Sequence, residues 1–139
     1  MPLRKILLAD ADSDFRGILC HYLGFLNYPS PIQAGDGEEA LSKAIIERPD
    51  LIIMEVFLPK TNGFQVVNHL RTNLSTRDMS ILAATTLTLP GDPERCLKSG
   101  FNGYLAKPFT IRELGNLIQT LFPGDAKTNC CAQPSKSTT

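Results

Sequence analysis

The fold is decided by one stretch of the chain, Leu51-Ile52-Ile53-Met54-Glu55-Val56-Phe57-Leu58-Pro59. Four apolar residues lead into an acid, further apolar residues follow, and a proline ends the run. A short run this apolar is typical of a strand buried on both faces, as in a parallel sheet. A carboxylate is costly there unless it lies at the end of the strand or has a partner. We therefore expect Glu55 to stand at the end of a central strand.

Polar residues also end other apolar runs, and each is a candidate partner for Glu55. They are Asp10, Thr85 and Lys107. Apolar runs alternate with helical patterns along the chain, which predicts an α/β domain with a doubly wound parallel sheet. We expect a flavodoxin-like (βα)5 three-layer sandwich with five strands in the order 2-1-3-4-5. Ligands bind at the carboxyl ends of such strands, so these residues should share one crevice.

The helical patterns also predict caps and buried faces. Ser13 or Asp14 is expected to cap the first helix, because short polar side chains accept hydrogen bonds from the first turn. Apolar residues at helical spacing predict the inner faces of the second and third helices. Those residues are Ala40, Leu41, Ala44 and Ile45 in the second helix, and Phe64, Val67, Leu70 and Leu74 in the third.

Size and charge exclude several classes of protein. The 139 residues suit one domain, predicted over 4–122, with a small polar tail at 123–139 that we expect to be disordered. Lys and Arg (14) balance Asp and Glu (14), which gives no basic face for nucleic acid. No apolar run is long enough for a membrane span. The adjacent Cys130 and Cys131 lack the spacing of a zinc site, and Cys20 is expected to be a buried free thiol, so a reducing, cytoplasmic location fits best.

Two carboxylates in one crevice resist joint ionisation unless a cation lies between them. That cation could be the ammonium of Lys107, a bound Mg²⁺, or both, since Mg²⁺ prefers carboxylate, phosphate and water oxygens. One interpretation is a phosphoryl or Mg²⁺ site. The other is a Lys107–Glu55 ion pair that only stabilises the fold, and the spacing alone leaves both open.

A set of motifs, in order and at matching spacing, resembles the receiver domain of bacterial two-component response regulators over about residues 4–122. The motifs are Lys5-Ile-Leu-Leu-Ala-Asp10, Asp36-Gly37-Glu38-Glu39-Ala40-Leu41, Pro49-Asp50-Leu51-Ile52-Ile53-Met54, Pro59-Lys60-Thr61-Asn62-Gly63-Phe64, Thr85 and Gly103-Tyr104-Leu105-Ala106-Lys107-Pro108-Phe109. Each motif is weak alone, but together they are highly specific.

The resemblance implies roles for individual residues. In the family, an aspartate after strand three accepts a phosphoryl group from a kinase histidine, and two acids after strand one help it to hold Mg²⁺. The hydroxyl and lysine that bind phosphoryl oxygens match Thr85 and Lys107, and the aromatic residue that turns inward on activation matches Tyr104. The first acid of the pair matches Asp10. The bond between Lys107 and Pro108 is expected to be cis.

Two positions depart from the family pattern. The acceptor position holds Glu55 rather than aspartate, and the second acid is replaced by Ala11, with Asp12 one residue too late to be an expected ligand. The extra methylene moves the carboxylate by roughly 1.5 Å, about one covalent bond. In-line transfer needs the reacting atoms within about 3.5 Å and aligned. We expect Mg²⁺ binding to be weak or absent and ordinary phosphorylation to be absent or very poor.

These departures indicate an atypical, pseudo-receiver type: a single-domain, phosphorylation-independent module that is not an enzyme and has no cofactor. Glu55 either imitates a phosphorylated aspartate or forms a permanent ion pair with Lys107. The implied partner is a protein, such as a sensor histidine kinase or an output protein, at the face of helix four, strand five and helix five. The alternative is phosphorelay through a non-standard acceptor or metal arrangement. A nucleotide-binding enzyme is disfavoured, because no Gly-x-Gly-x-x-Gly turn follows strand one.

Overall fold

A computed structural model describes residues 4–86 and 92–123 of the chain. The described residues form a parallel sheet with the order β2-β1-β3-β4-β5, as predicted. Its strands are β1 (Ile6–Ala9), β2 (Ile32–Ala34), β3 (Leu51–Met54), β4 (Ser80–Thr85) and β5 (Gly103–Ala106). Every residue of β1 and β3 is buried, which accounts for the apolar runs that mark these two strands in the sequence.

Helices alternate with the strands along the described chain. They are α1 (Ser13–Phe25), α2 (Gly37–Glu47), α3 (Gly63–Thr72), α4 (Asp92–Ser99) and α5 (Ile111–Leu121). The fold is therefore the predicted flavodoxin-like α/β arrangement. The predicted tail lies outside the described residues from position 124 onward, and so do Cys130 and Cys131. Of the described helices, none has the length and apolar character that crossing a membrane requires.

Side-chain caps set where several helices begin. Asn62 and Gln65 form a reciprocal capping box at α3, in which each side chain accepts from the other residue's backbone N–H. Thr110 and Glu113 form the same arrangement at α5. Asp36 caps α2 by accepting from the backbone N–H of Glu39 at 2.8 Å.

Two residues of the predicted inner faces are instead exposed. Ile45 is 42% exposed in α2, because the buried stripe of that helix is narrower and is carried by Ala40 and Ala44. Leu74 is 80% exposed, because α3 ends at Thr72 and Leu74 is outside the helix. The apolar spacing predicted a helix that continues to Leu74, so it predicted burial for a side chain that lies beyond the true end of α3.

Two glycines allow the loop after β3 to pack closely. A Cβ on Gly63 would lie 2.9 Å from the Cα of Val56 and 3.0 Å from the carbonyl oxygen of Glu55. A Cβ on Gly37 would lie 1.6 Å from the carbonyl oxygen of Thr61. Since the opposing atoms belong to the backbone, they cannot rotate away. These glycines fix the path of the chain immediately after Glu55.

Candidate functional site

The register of the sheet brings the polar strand ends to one edge. Ala9 and Met54 are paired in β1 and β3, so Asp10 and Glu55 follow side by side. The backbone N–H of Glu55 donates to the carbonyl of Ala9 at 2.9 Å. The backbone N–H of Lys107 donates to the carbonyl of Thr85, also at 2.9 Å, which joins the ends of β4 and β5. The ends of these strands therefore meet at one edge of the sheet, as predicted.

The ammonium of Lys107 lies between the two carboxylates. Its Nζ is 2.6 Å from Oδ2 of Asp10 and 2.9 Å from Oε1 of Glu55. The exposed fractions of the Lys107, Asp10 and Glu55 side chains are only 14%, 7% and 9%. Solvent screens such pairs less than surface pairs, so these contacts are stronger than ordinary surface ion pairs.

Glu55 makes a further contact with Thr85. The hydroxyl of the fully buried Thr85 donates to Oε2 of Glu55, and the backbone N–H of Phe57 donates to the same oxygen at 3.1 Å. Both oxygens of the Glu55 carboxylate are therefore engaged. One accepts from the ammonium, and the other accepts from a hydroxyl and a backbone amide.

Lys107 is held in its charged form. Burial by itself lowers the pKa of the ammonium, but the hydrogen bonds and charges of Asp10 and Glu55 outweigh burial. The net effect raises the pKa of Lys107 above its ordinary value of 10.5. At neutral pH one full positive charge therefore faces two acids.

The loop after β1 places the remaining acid elsewhere. Asp12, and not Ser13 or Asp14, caps α1: its carboxylate accepts from the backbone N–H groups of Asp14 at 2.9 Å and of Phe15 at 3.2 Å. The capping prediction was wrong by one or two positions, because three short polar residues in a row offer similar capping chemistry. Asp12 thus serves the helix, while its own backbone N–H donates to Oδ1 of Asp10 at 2.9 Å.

As they are arranged, the carboxylate oxygens at this edge are engaged by groups of the protein itself. Both carboxylate oxygens of Asp10 and both of Glu55 already accept hydrogen bonds, and Ala11 supplies no side-chain oxygen. The guanidinium of Arg16 also donates to the backbone carbonyl of Asp10, which adds positive charge. Within residues 4–86 and 92–123, no three His, Cys, Asp or Glu side chains are grouped so that they could hold a metal ion.

Tyr104 is half-buried in β5 and packs against the hydrophobic core cluster. The bond between Lys107 and Pro108 is cis, as expected. Cys20 was expected to be buried but is half-exposed on α1.

Two contacts at the site were not predicted from the sequence. The ring of Phe15 lies 4.0 Å from the Lys107 ammonium, and Arg16 binds the carbonyl of Asp10. In the sequence, Phe15 recurs with other apolar residues such as Leu19 and Tyr22 at helical spacing, which indicates only an apolar helix face. No local pattern relates it to a lysine near the other end of the chain, so only the fold reveals this pair.

The fold and the strand-end cluster define the class of protein. The model of the response regulator receiver domain family matches residues 6–119. The chain belongs to this family, so the resemblance that the motifs indicated is confirmed at the level of the family.

Individual relatives agree with this assignment. The chain is 36% identical over 118 residues to the alkaline phosphatase synthesis transcriptional regulatory protein PhoP of Bacillus subtilis, covering 85% of this chain and 48% of that protein. It is 35% identical over 121 residues to a probable transcriptional regulator, ycf27, of Porphyridium aerugineum, covering 87% of this chain and 49% of the relative. The chain thus spans about half the length of these curated relatives.

Solved structures of receivers are also similar. Vibrio cholerae chemotaxis protein CheY4 superimposes with a TM-score of 0.77 at 33% identity, covering 86% of this chain and 98% of that one. The receiver domain of sensor histidine kinase PA1611 from Pseudomonas aeruginosa has the same TM-score and identity, covering 86% of this chain and 97% of its own. That structure contains a magnesium ion coordinated in its active-site cleft.

Proposed function

We propose that this chain is an atypical, pseudo-receiver module of two-component signalling that binds a protein partner without being phosphorylated. It would act as a binding module and not as an enzyme. One observation carries the proposal: a single carboxylate, that of Glu55, contacts both the Thr85 hydroxyl and the Lys107 ammonium. In the family these two groups bind the phosphoryl oxygens.

The state of the acceptor position supports this proposal. Both oxygens of Glu55 are already engaged, so phosphoryl transfer would displace the Lys107 contact at Oε1 or the Thr85 contact at Oε2. With Ala11 in place of the second acid, the site has one carboxylate fewer to attract a divalent cation. Weak or absent Mg²⁺ binding is therefore part of the proposal.

Glu55 combines features of both alternatives, the imitated phosphoaspartate and the permanent ion pair. Its contact with Thr85 is the kind that a phosphoryl oxygen would make, which favours imitation. It carries one negative charge and two oxygens, however, whereas a phosphoryl group carries nearly two charges and three acceptor oxygens. We infer a switch held in one arrangement, with Thr85 turned toward Glu55 and no second state set by phosphorylation.

The partner is proposed by class. It is a protein such as a sensor histidine kinase or an output protein, the classes that the family resemblance implies. The names of PhoP and ycf27 describe transcriptional regulators. Because those names say nothing about independence from phosphorylation, that part of the proposal depends on Glu55 and Ala11.

A magnesium titration monitored by ¹⁵N NMR tests the proposed weak or absent binding of Mg²⁺. The backbone amides of Ala11, Glu55 and Lys107 in the wild type should keep their chemical shifts as MgCl₂ is added. The double variant Ala11→Asp, Glu55→Asp is the matched control, and its shifts should move and saturate. Saturable shifts in the wild type at the same concentrations as in the double variant would overturn the proposed weak binding.

A further inference from the structure

The ammonium of Lys107 has one side that faces neither carboxylate. An ammonium carries three N–H groups. Two are directed to Oδ2 of Asp10 and Oε1 of Glu55. The centroid of the Phe15 ring also lies 4.0 Å from Nζ, within the range of a cation–π contact. Lys107 is thus enclosed by two acids and one aromatic face.

The helix cap fixes where this ring lies. Phe15 is in the first turn of α1, and its backbone N–H donates to the capping carboxylate of Asp12 at 3.2 Å. The backbone N–H of Asp12 in turn donates to Oδ1 of Asp10 at 2.9 Å. A continuous set of hydrogen bonds therefore links the Phe15 backbone to an acid that also binds Lys107. The position of the ring is set by the same loop that positions Asp10.

We propose that Phe15 is a specificity-determining residue of this site, whose ring covers Lys107 and keeps small oxyanions and other solutes away from the ammonium. The inference rests on the proposed function, because a site that does not take up a phosphoryl group has no need of an open side on Lys107. A leucine at this position would fill space but would present no aromatic face to the cation.

Trace labelling of lysines with acetic anhydride, followed by peptide mass spectrometry, tests whether the Phe15 ring shields the Lys107 ammonium. The measured quantity is the labelling rate of Lys107 relative to Lys60, whose side chain is 60% exposed. Phe15→Leu should raise this ratio by roughly fivefold to thirtyfold, the range expected for losing one cation–π contact between an exposed and a desolvated cation. Phe25→Leu changes the same residue type on the same helix at a 74% exposed position and should leave the ratio unchanged.

A second measurement keeps the inference testable if Phe15→Leu does not fold. In the wild type, the ring current of Phe15 should shift the ε-methylene resonances of Lys107 upfield of the other lysines. Unshifted Lys107 resonances in the wild type would overturn the inference, as would equal labelling ratios in the wild type and a folded Phe15→Leu. Neither readout involves magnesium or a phosphodonor, so failure of the cover is distinguishable from failure of the proposed function.

Discussion

Glu55 is the residue on which the site depends. It lies beside the 14%-exposed Lys107 and the fully buried Thr85, and it contacts both. Glu55→Gln keeps the shape but removes the charge, which leaves Lys107 with Asp10 alone. We expect the free energy of unfolding in urea to fall by about 1–3 kcal/mol, the usual range for weakening a buried charged hydrogen bond.

Glu47→Gln is the matched control for this change. Its carboxylate pairs with Lys5 at 3.5 Å, and both side chains are largely exposed. Removing that charge should alter the free energy of unfolding by less than about 0.5 kcal/mol. Equal small effects for Glu55→Gln and Glu47→Gln would show that the buried pair contributes no more to stability than a surface pair.

The charge of Lys107 makes stability depend on alkaline pH. Its folded-state pKa is raised above the ordinary value of 10.5, because its contacts with Asp10 and Glu55 outweigh burial. The stability that Lys107 contributes is therefore complete below about 10.5 and is lost as the pH rises through the folded pKa. Arginine stays protonated across this range.

Lys107→Arg should consequently lose less stability than the wild type as the pH is raised above 10.5. Urea unfolding followed by far-UV circular dichroism at a series of alkaline pH values measures this difference. Every other lysine titrates in both proteins, so their effects cancel in the comparison. Stability curves that run parallel over the alkaline range would contradict the assigned role of the Lys107 charge.

At the scale of elements, the loop between β3 and α3 depends on Gly63. A Cβ there would meet backbone atoms of Glu55 and Val56 at about 3 Å, so Gly63→Ala should force the chain apart next to the site. We expect a loss of about 1–3 kcal/mol in the free energy of unfolding, as for other overpacked positions. Amide chemical shifts of Glu55 and Thr85 should also move.

Gly17→Ala is the opposite case. Gly17 lies within α1, and a Cβ there would meet nothing within 4 Å. Alanine favours the helix over glycine, so this variant should gain about 0.5–1 kcal/mol. If Gly63→Ala and Gly17→Ala changed the free energy of unfolding in the same direction, the close backbone contact at Gly63 would not explain the effect of substituting it.

Helices and strands could be predicted from the sequence where the spacing of apolar residues matches the buried face of the element. The strand order and the meeting of Asp10, Glu55, Thr85 and Lys107 follow from runs of apolar residues and the polar residues that end them. The helical spacing of apolar residues predicted burial wrongly where it was extended beyond the end of α3, as at Leu74. It also could not choose among three adjacent short polar residues for the cap of α1.

At the scale of the whole molecule, long-range contacts set the limits of sequence reasoning. Phe15 and Lys107 are far apart in the chain, and only the folded chain brings the ring to the ammonium. The family could be predicted because its motifs are ordered along the chain. The sequence could not show that one oxygen of the Glu55 carboxylate accepts from Thr85 while the other accepts from Lys107.

We propose that this receiver site does not accept a phosphoryl group. The most direct measurement is the intact mass of the protein after incubation with a small phosphodonor and MgCl₂. The wild type should keep its mass, because Glu55 is engaged by Lys107 and Thr85 and Ala11 supplies no metal ligand. The double variant Ala11→Asp, Glu55→Asp should gain one labile phosphoryl group. A labile phosphoryl group on the wild type would contradict the account.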